Sequence, residues 1–149
     1  MSRIGWDEYF MSMAKLASKR STCLRRQVGA VIVKDNQILA TGYNGAPKGL
    51  PNCCDLGDCL RQKMNIPSGE RHELCRAVHA ENNAITQCAV NGVSCKDGTI
   101  YITDSPCIMC LKQIINARIK KIVALEIYPD KMSQEMLNAC NIEFVKYQK

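Results

Sequence analysis

His79-Ala80-Glu81 and, 25 residues further on, Pro106-Cys107-Ile108-Met109-Cys110 set the tightest constraint on how this chain folds. One imidazole and two thiolates suit a single divalent ion, and zinc takes nitrogen and sulfur ligands in a tetrahedron. Three protein ligands leave the fourth position open, as in a catalytic rather than a structural zinc site. Glu81 is then left over as a carboxylate two residues from the imidazole, placed to move protons on a water at that open position. If both halves serve one ion, two segments remote in sequence must meet in space.

Local sequence supplies rigid supports for both halves. Ala80 to Val90 (AENNAITQCAV) reads as a helix with apolar Ala84, Ile85, Cys88 and Ala89, so His79 and Glu81 fall in its first turn. Residues 107–117 (CIMCLKQIINA) read as a second helix opening at the thiols. Pro106 stands just ahead of it, where a missing N–H costs nothing. Cys107 and Cys110 are three apart and share a face, and the positive end of a helix favours thiolates. A lone Cys-x-x-Cys equally suits a redox pair, a structural half-site or two buried thiols. Joined to His-x-Glu in this order, in a chain with 2 histidines, it points to a catalytic metal centre.

At 149 residues the chain has the length of one domain with a full core. Its 46% hydrophobic and 23% charged content are those of an ordinary soluble protein. The N-terminus, MSRIGWDEYF, carries no long apolar run, so neither a signal peptide nor a membrane span of about 20 residues is expected. Ten cysteines without an export signal suggest reduced thiols and metal ligation, hence a cytoplasmic location. Much of the net charge of +6 sits at Lys15, Lys19, Arg20, Arg25 and Arg26, and again at Arg118, Lys120 and Lys121. That suits an anionic ligand such as a nucleotide, weak nucleic-acid binding, or simply a solvated basic face. Aromatic residues make up only 5% and are scattered, which argues against a stacking platform for single strands.

Periodicity predicts a helix over Trp6 to Ser18, with Tyr9, Phe10, Met13, Leu16 and Ala17 as its apolar positions. Val28-Gly29-Ala30-Val31-Ile32-Val33 and Gln37 to Tyr43 read as a hairpin about Asp35-Asn36. A long loop rich in Gly, Pro, Asn and Cys runs from Asn44 to about Arg71, and a loop of that length in a small domain is usually functional. After the His79 helix come a strand over 99–103, the Cys107 helix, a strand over 121–125, a short helix over 133–138 and a last strand over 142–147. Strands alternating with helices predict a three-layer α/β/α sandwich, here as a single domain over 1–149 with an insertion at about 44–75.

The H-x-E…P-C-x-x-C pattern is a signature of zinc-dependent nucleobase deaminases, and these residues resemble the cytidine deaminase superfamily. Arg20-Ser21-Thr22-Cys23, Val28-Gly29-Ala30-Val31, Thr41-Gly42-Tyr43-Asn44-Gly45 and Cys75-Arg76-Ala77-Val78-His79-Ala80-Glu81 are similar to deoxycytidylate (dCMP) deaminases, and the likeness runs from about Tyr9 to the last strand. The resemblance implies a five-stranded mixed sheet with helices on both faces and a homo-oligomer, often a hexamer. It implies hydrolysis of dCMP to dUMP and ammonia for thymidylate synthesis, with dCTP activating and dTTP inhibiting. His79, Cys107 and Cys110 would hold the zinc and Glu81 would carry the protons. Asn44 would contact the substrate near the sugar, and the Ala80 backbone amide would read the base. Tyr128, after a strand end, is either a ligand contact or a packing residue. Arg25, Arg26 and Lys48 are guesses for a 5′-phosphate.

Eight cysteines lie outside the catalytic pair. Cys23, Cys53, His72 and Cys75 make a possible closed site for a second, structural zinc tying the loop to the core, with Cys54 or Cys59 as replacements for Cys53. Buried or free thiols are the plainer account. Cys88 reads as core, and Cys95 and Cys140 as incidental small residues. Rival functions remain, among them a riboflavin-pathway or free-cytosine deaminase. A tRNA adenosine deaminase shares His-Ala-Glu and a similar Pro-Cys-x-Met-Cys, but usually lacks the insertion and ends on a basic helix. A thiol redox protein would use Cys107 and Cys110. A structural zinc or nucleic-acid module would need no Glu81.

Overall fold

Burial on both faces of the strands dictates the layers. The computed structural model describes residues 1–127 and 130–149. In β1 (Gly29–Lys34), Ala30 and Ile32 face one hydrophobic cluster and Val31 and Val33 face the other. A strand buried on both sides needs cover on both sides. One face receives α1 (Trp6–Ser18) through Phe10, Met11 and Ala14. The other receives α4 (Ala80–Val90) through Ala80, Ala84 and Cys88, and α5 (Ile108–Asn116) through Leu111 and Ile114. Met136 and Leu137 of α6 (Lys131–Ala139) pack beside them.

Among the described residues the sheet has five strands, in the order β2-β1-β3-β4-β5. The hairpin of β1 with β2 (Gln37–Tyr43) is antiparallel and bulges between Ile32 and Val33. β1 also pairs antiparallel with β3 (Thr99–Ile102). β4 (Lys121–Ala124) and β5 (Glu143–Lys146) continue the sheet in parallel with β3. The three-layer sandwich and its mixed sheet are therefore as expected. Within residues 44–71, which periodicity left as loop, two single turns form, α2 (Cys53–Leu56) and α3 (Leu60–Lys63), followed by a 3-10 turn at His72–Leu74. Turns this short carry too few residues for a periodic signal.

The apolar side of α1 differs from the expected one. Phe10, Met11, Ala14 and Ser18 are buried, while Tyr9 and Leu16 are exposed. The seat is set by Gly29, where an added Cβ would fall on the Ala14 carbonyl oxygen and lie 2.5 Å from the Ser18 nitrogen. Helix and strand backbones touch there, and the rotation of α1 follows. Tyr101 of β3 closes the contact by donating its hydroxyl to Asp7 Oδ1 at 2.6 Å.

Gly42 does for α4 what Gly29 does for α1. A Cβ at Gly42 would fall on the Ala80 carbonyl oxygen and lie 2.7 Å from the Ala84 nitrogen. Backbone against backbone cannot yield as a flexible side chain can. Gly42→Ala is therefore expected to cost about 2–3 kcal/mol of unfolding free energy in urea, in the range of overpacked cores. A change below about 0.5 kcal/mol, the size of a neutral surface substitution, would show the approach to be looser than this.

Candidate active site

One edge of the sheet collects the start of β1 and the ends of β2, β3 and β4, because β1 runs against its neighbours. α4 and α5 both begin at that edge. His79 is the N-cap of α4 and Glu81 lies in its first turn. Cys107 is the N-cap of α5, and Cys110 follows one turn later. The Cys110 backbone N–H is near enough to the Cys107 sulfur to favour its thiolate. Open α/β sheets place ligands in this position, at the strand ends.

The two halves meet. His79 Nδ1 lies 3.5 Å from Cys107 Sγ and 3.4 Å from Cys110 Sγ. A nitrogen at about 2.0 Å and a sulfur at about 2.3 Å from one tetrahedral ion stand roughly 3.5 Å apart, so the spacing is that of ligands sharing zinc. Among the described residues this is the one group of three or more such side chains whose ligand atoms all lie within 4.8 Å of one another.

The electrostatics call for a cation. Hydrogen bonding to Cys107 and then to Cys75 pushes the His79 imidazole up to about 10, against the effect of burial. Cys107 is drawn down to about 3, first by the Cys110 thiol and also by His79. Cys110 is pushed up by its neighbour Cys107 and by burial. Protons on His79 and Cys110 thus offset the charge of a Cys107 thiolate, and a divalent ion would displace them. Glu81, 4% exposed, has its carboxyl pushed to about 7, chiefly by burial.

His79, Glu81, Cys75 and Cys107 lie in the wall of a cleft of about 610 Å³, which also takes in Asn44, Ala80, Asp104 and the arginines 25, 26 and 61. That volume suits a small organic ligand. The Asn44 carboxamide accepts from Val28 N at 3.0 Å and donates to Arg26 O at 2.8 Å, so it holds the entry to β1 in place from the cleft wall. Ala80 is fully buried in the first turn of α4. Arg26 pairs with Asp104 at 3.1 Å. Arg25 donates to Ile66 O at 3.1 Å. Lys48 is not among the cleft residues, and Tyr128 lies outside the described residues.

Segment 44–75 closes over this edge through polar contacts. Gly45 and Val78 exchange backbone bonds at 2.8 and 3.2 Å. Asn52 Oδ1 accepts from Thr22 Oγ1 at 2.9 Å and Ala46 N at 3.1 Å. Arg76 reaches Asp58 Oδ1 at 2.5 Å and the Asp58 carbonyl at 3.1 Å, and holds the Asp58 carboxyl below its ordinary range. Of the four residues considered for a second ion, Cys53 feels both Cys23 and Cys75, and burial raises its thiol. His72 instead sets its ring edge-on to His79 at 4.9 Å. The four are not drawn to ligand distance of one another. Arg61, buried in α3 and also in the cleft wall, was not singled out from sequence. Nothing in its neighbours there distinguishes it from a surface arginine.

A family model for the cytidine and deoxycytidylate deaminase zinc-binding region matches residues 4–126. The deoxycytidylate deaminase of Schizosaccharomyces pombe is 37% identical over 146 residues, covering 97% of this chain and 45% of that protein. ComE operon protein 2 of Bacillus subtilis is 44% identical over 128 residues, covering 86% of this chain and 63% of that protein. The chain thus spans about half to two thirds of the length of these relatives. The crystal structure of dCMP deaminase from cyanophage S-TIM5, in complex with dCMP and dUMP, superposes with a TM-score of 0.77 at 30% identity, covering 99% of this chain and 100% of that one. With its zinc-type ligand cluster at the start of two helices and the match over residues 4–126, the chain belongs to the cytidine and deoxycytidylate deaminase family.

Proposed function

We propose that this protein catalyses the zinc-dependent hydrolysis of dCMP to dUMP and ammonia. The observation that carries the reading is a buried carboxyl, Glu81, next to a His79/Cys107/Cys110 cluster in a nucleotide-sized cleft. Family membership and the likeness to a deaminase crystallised with dCMP and dUMP support the choice of substrate.

His79, Cys107 and Cys110 are the residues that would hold zinc, and the bound ion would supply a water of lowered pKa, near 7, and stabilise developing negative charge. Glu81 handles the protons. It accepts one from the water that adds to C4 of the cytosine ring and passes it to N3. When the bond between C4 and the exocyclic nitrogen breaks, Glu81 helps to protonate the departing ammonia. A carboxyl pushed to about 7 can accept and donate near neutral pH. The Ala80 amide, in the first turn of α4 where backbone N–H groups lack intrahelical acceptors, reads the base. Asn44 meets the sugar from the cleft wall. A free nucleotide is already unstacked, so no base flipping is required.

The reading extends to a single catalytic domain whose segment 44–75 is a functional insertion, to homo-oligomer assembly and to control by dCTP and dTTP, all resting on the family resemblance. A cytoplasmic site fits ten free cysteines. Among the described residues no helix is long and apolar enough to cross a membrane. A second zinc at Cys23, Cys53, His72 and Cys75 is a separate part of the proposal. Its support is the influence of Cys23 and Cys75 on the Cys53 thiol, together with the buried His72 Nδ1, which has no hydrogen-bond partner among the described residues.

Incubation with dCMP, dCTP, cytidine, cytosine and adenosine-bearing tRNA is expected to release ammonia fastest from dCMP. Faster release from any other compound would displace the substrate assignment. Glu81→Gln is expected to keep its zinc and lose about 10³-fold or more in kcat, toward the upper end for a general acid–base group. Near-normal turnover in that variant sinks the mechanism. Cys107→Ser is expected to lose the catalytic ion in elemental analysis. Two zinc ions per wild-type chain support the second site, and one per chain removes it.

A further inference from the structure

Arg61 is 8% exposed, and its Nε is buried with no hydrogen-bond partner among the described residues. No carboxylate of the described residues pairs with it, whereas Arg26 and Arg76 each have an aspartate. One terminal nitrogen donates to Glu70 O at 2.7 Å. That satisfies one donor of a group that has five. A buried guanidinium left with a single carbonyl partner is costly, because desolvation is not repaid by an opposite charge.

The side chain nevertheless lines the cleft. It shares the cleft wall with Cys75 and His72 and is close enough to influence both. Arg25 and Arg26 share that wall, but their visible partners are the Ile66 carbonyl and Asp104. Ser68 and Gly69 lie between the two carbonyls that Arg25 and Arg61 hold. The cleft thus gathers three arginines as well as residues of the reacting cluster, a composition that suits a ligand with an anionic tail.

We propose that Arg61 is the residue that reads the 5′-phosphate of the nucleotide, using the donors it does not spend on Glu70, with Ser68 beside it. This rests on the nucleotide-deaminase reading above and deepens it. Arginine suits the task because its planar fork meets phosphate oxygens with paired, charge-assisted hydrogen bonds. The same side chain holds the Glu70 carbonyl, so loop position and phosphate recognition are joined in one group.

The test compares binding of dUMP and deoxyuridine by calorimetry, with competition where affinity is low, to the zinc-loaded wild type, Arg61→Gln and Arg61→Lys. Wild type is expected to bind dUMP about 100-fold or more tightly than deoxyuridine, as hydrogen bonds between charged partners allow. Arg61→Gln should remove most of that gap and leave deoxyuridine affinity unchanged. Equal weakening of both ligands would make Arg61 a loop clamp only, and an undiminished gap would place the phosphate elsewhere; either overturns the proposal. If Arg61→Gln does not fold, Arg61→Lys decides, with a gap reduced about 10-fold in support and an unchanged gap against. Ammonia release from dCMP by wild type tests the deaminase reading separately, so a protein that turns over dCMP but shows no binding gap loses this inference alone.

Discussion

Two helix N-termini brought to one edge of a sheet are what the rest of this structure depends on. His79 stands at the N-cap position of α4 and Cys107 at that of α5. Neither is useful alone, and 28 residues separate them in the chain. Their meeting requires α4 to lie hard against β2, which Gly42 permits, and β3 to deliver residues 103–107 beside the start of β1. Thr103 Oγ1 accepts from Gly29 N at 3.1 Å and fixes that junction. Sheet, helices and site are therefore one packing problem with one solution.

Placing the groups there also sets their chemistry. A helix start offers partial positive charge to the thiolates, and the layer beneath removes Glu81 from water. Burial is the largest influence raising that carboxyl toward neutrality. Three thiols, Cys75, Cys107 and Cys110, crowd the same neighbourhood, and the protons they share with His79 mark where a cation belongs. A polar group this buried is tolerated because the site it serves has partners waiting for it.

The segment Thr41-Gly42-Tyr43-Asn44-Gly45 shows how a recognisable motif can be architectural as well as chemical. Gly42 admits α4. The Tyr43 carbonyl accepts from Asn83 Nδ2 at 2.7 Å, Asn44 ties down the backbone at Arg26 and Val28, and Gly45 bridges to Val78 just before His79. Each residue of the run after Thr41 thus positions either the cleft wall or the metal-type cluster. Any contact of Asn44 with a ligand comes on top of that framework.

Much was legible beforehand because it is local. The extent of α4 follows from its apolar row, and the β1–β2 hairpin follows from β-branched residues around Asp35-Asn36. The chemistry of His79, Glu81, Cys107 and Cys110 follows from residue type and spacing. What stayed hidden was non-local. The face on which α1 rests was misjudged, because a backbone contact at Gly29 outweighs the row of apolar side chains. The placing of the His72 ring against His79, and the burial of Arg61 in a single helical turn, depend on how segment 44–75 folds back through Asn52, Asp58 and Arg76. Residue types and short spacings determine which reactions a chain can support. Which charges lose their water, and what they are left facing, is decided only when distant segments pack, because desolvation belongs to the assembled interior and to no stretch of sequence.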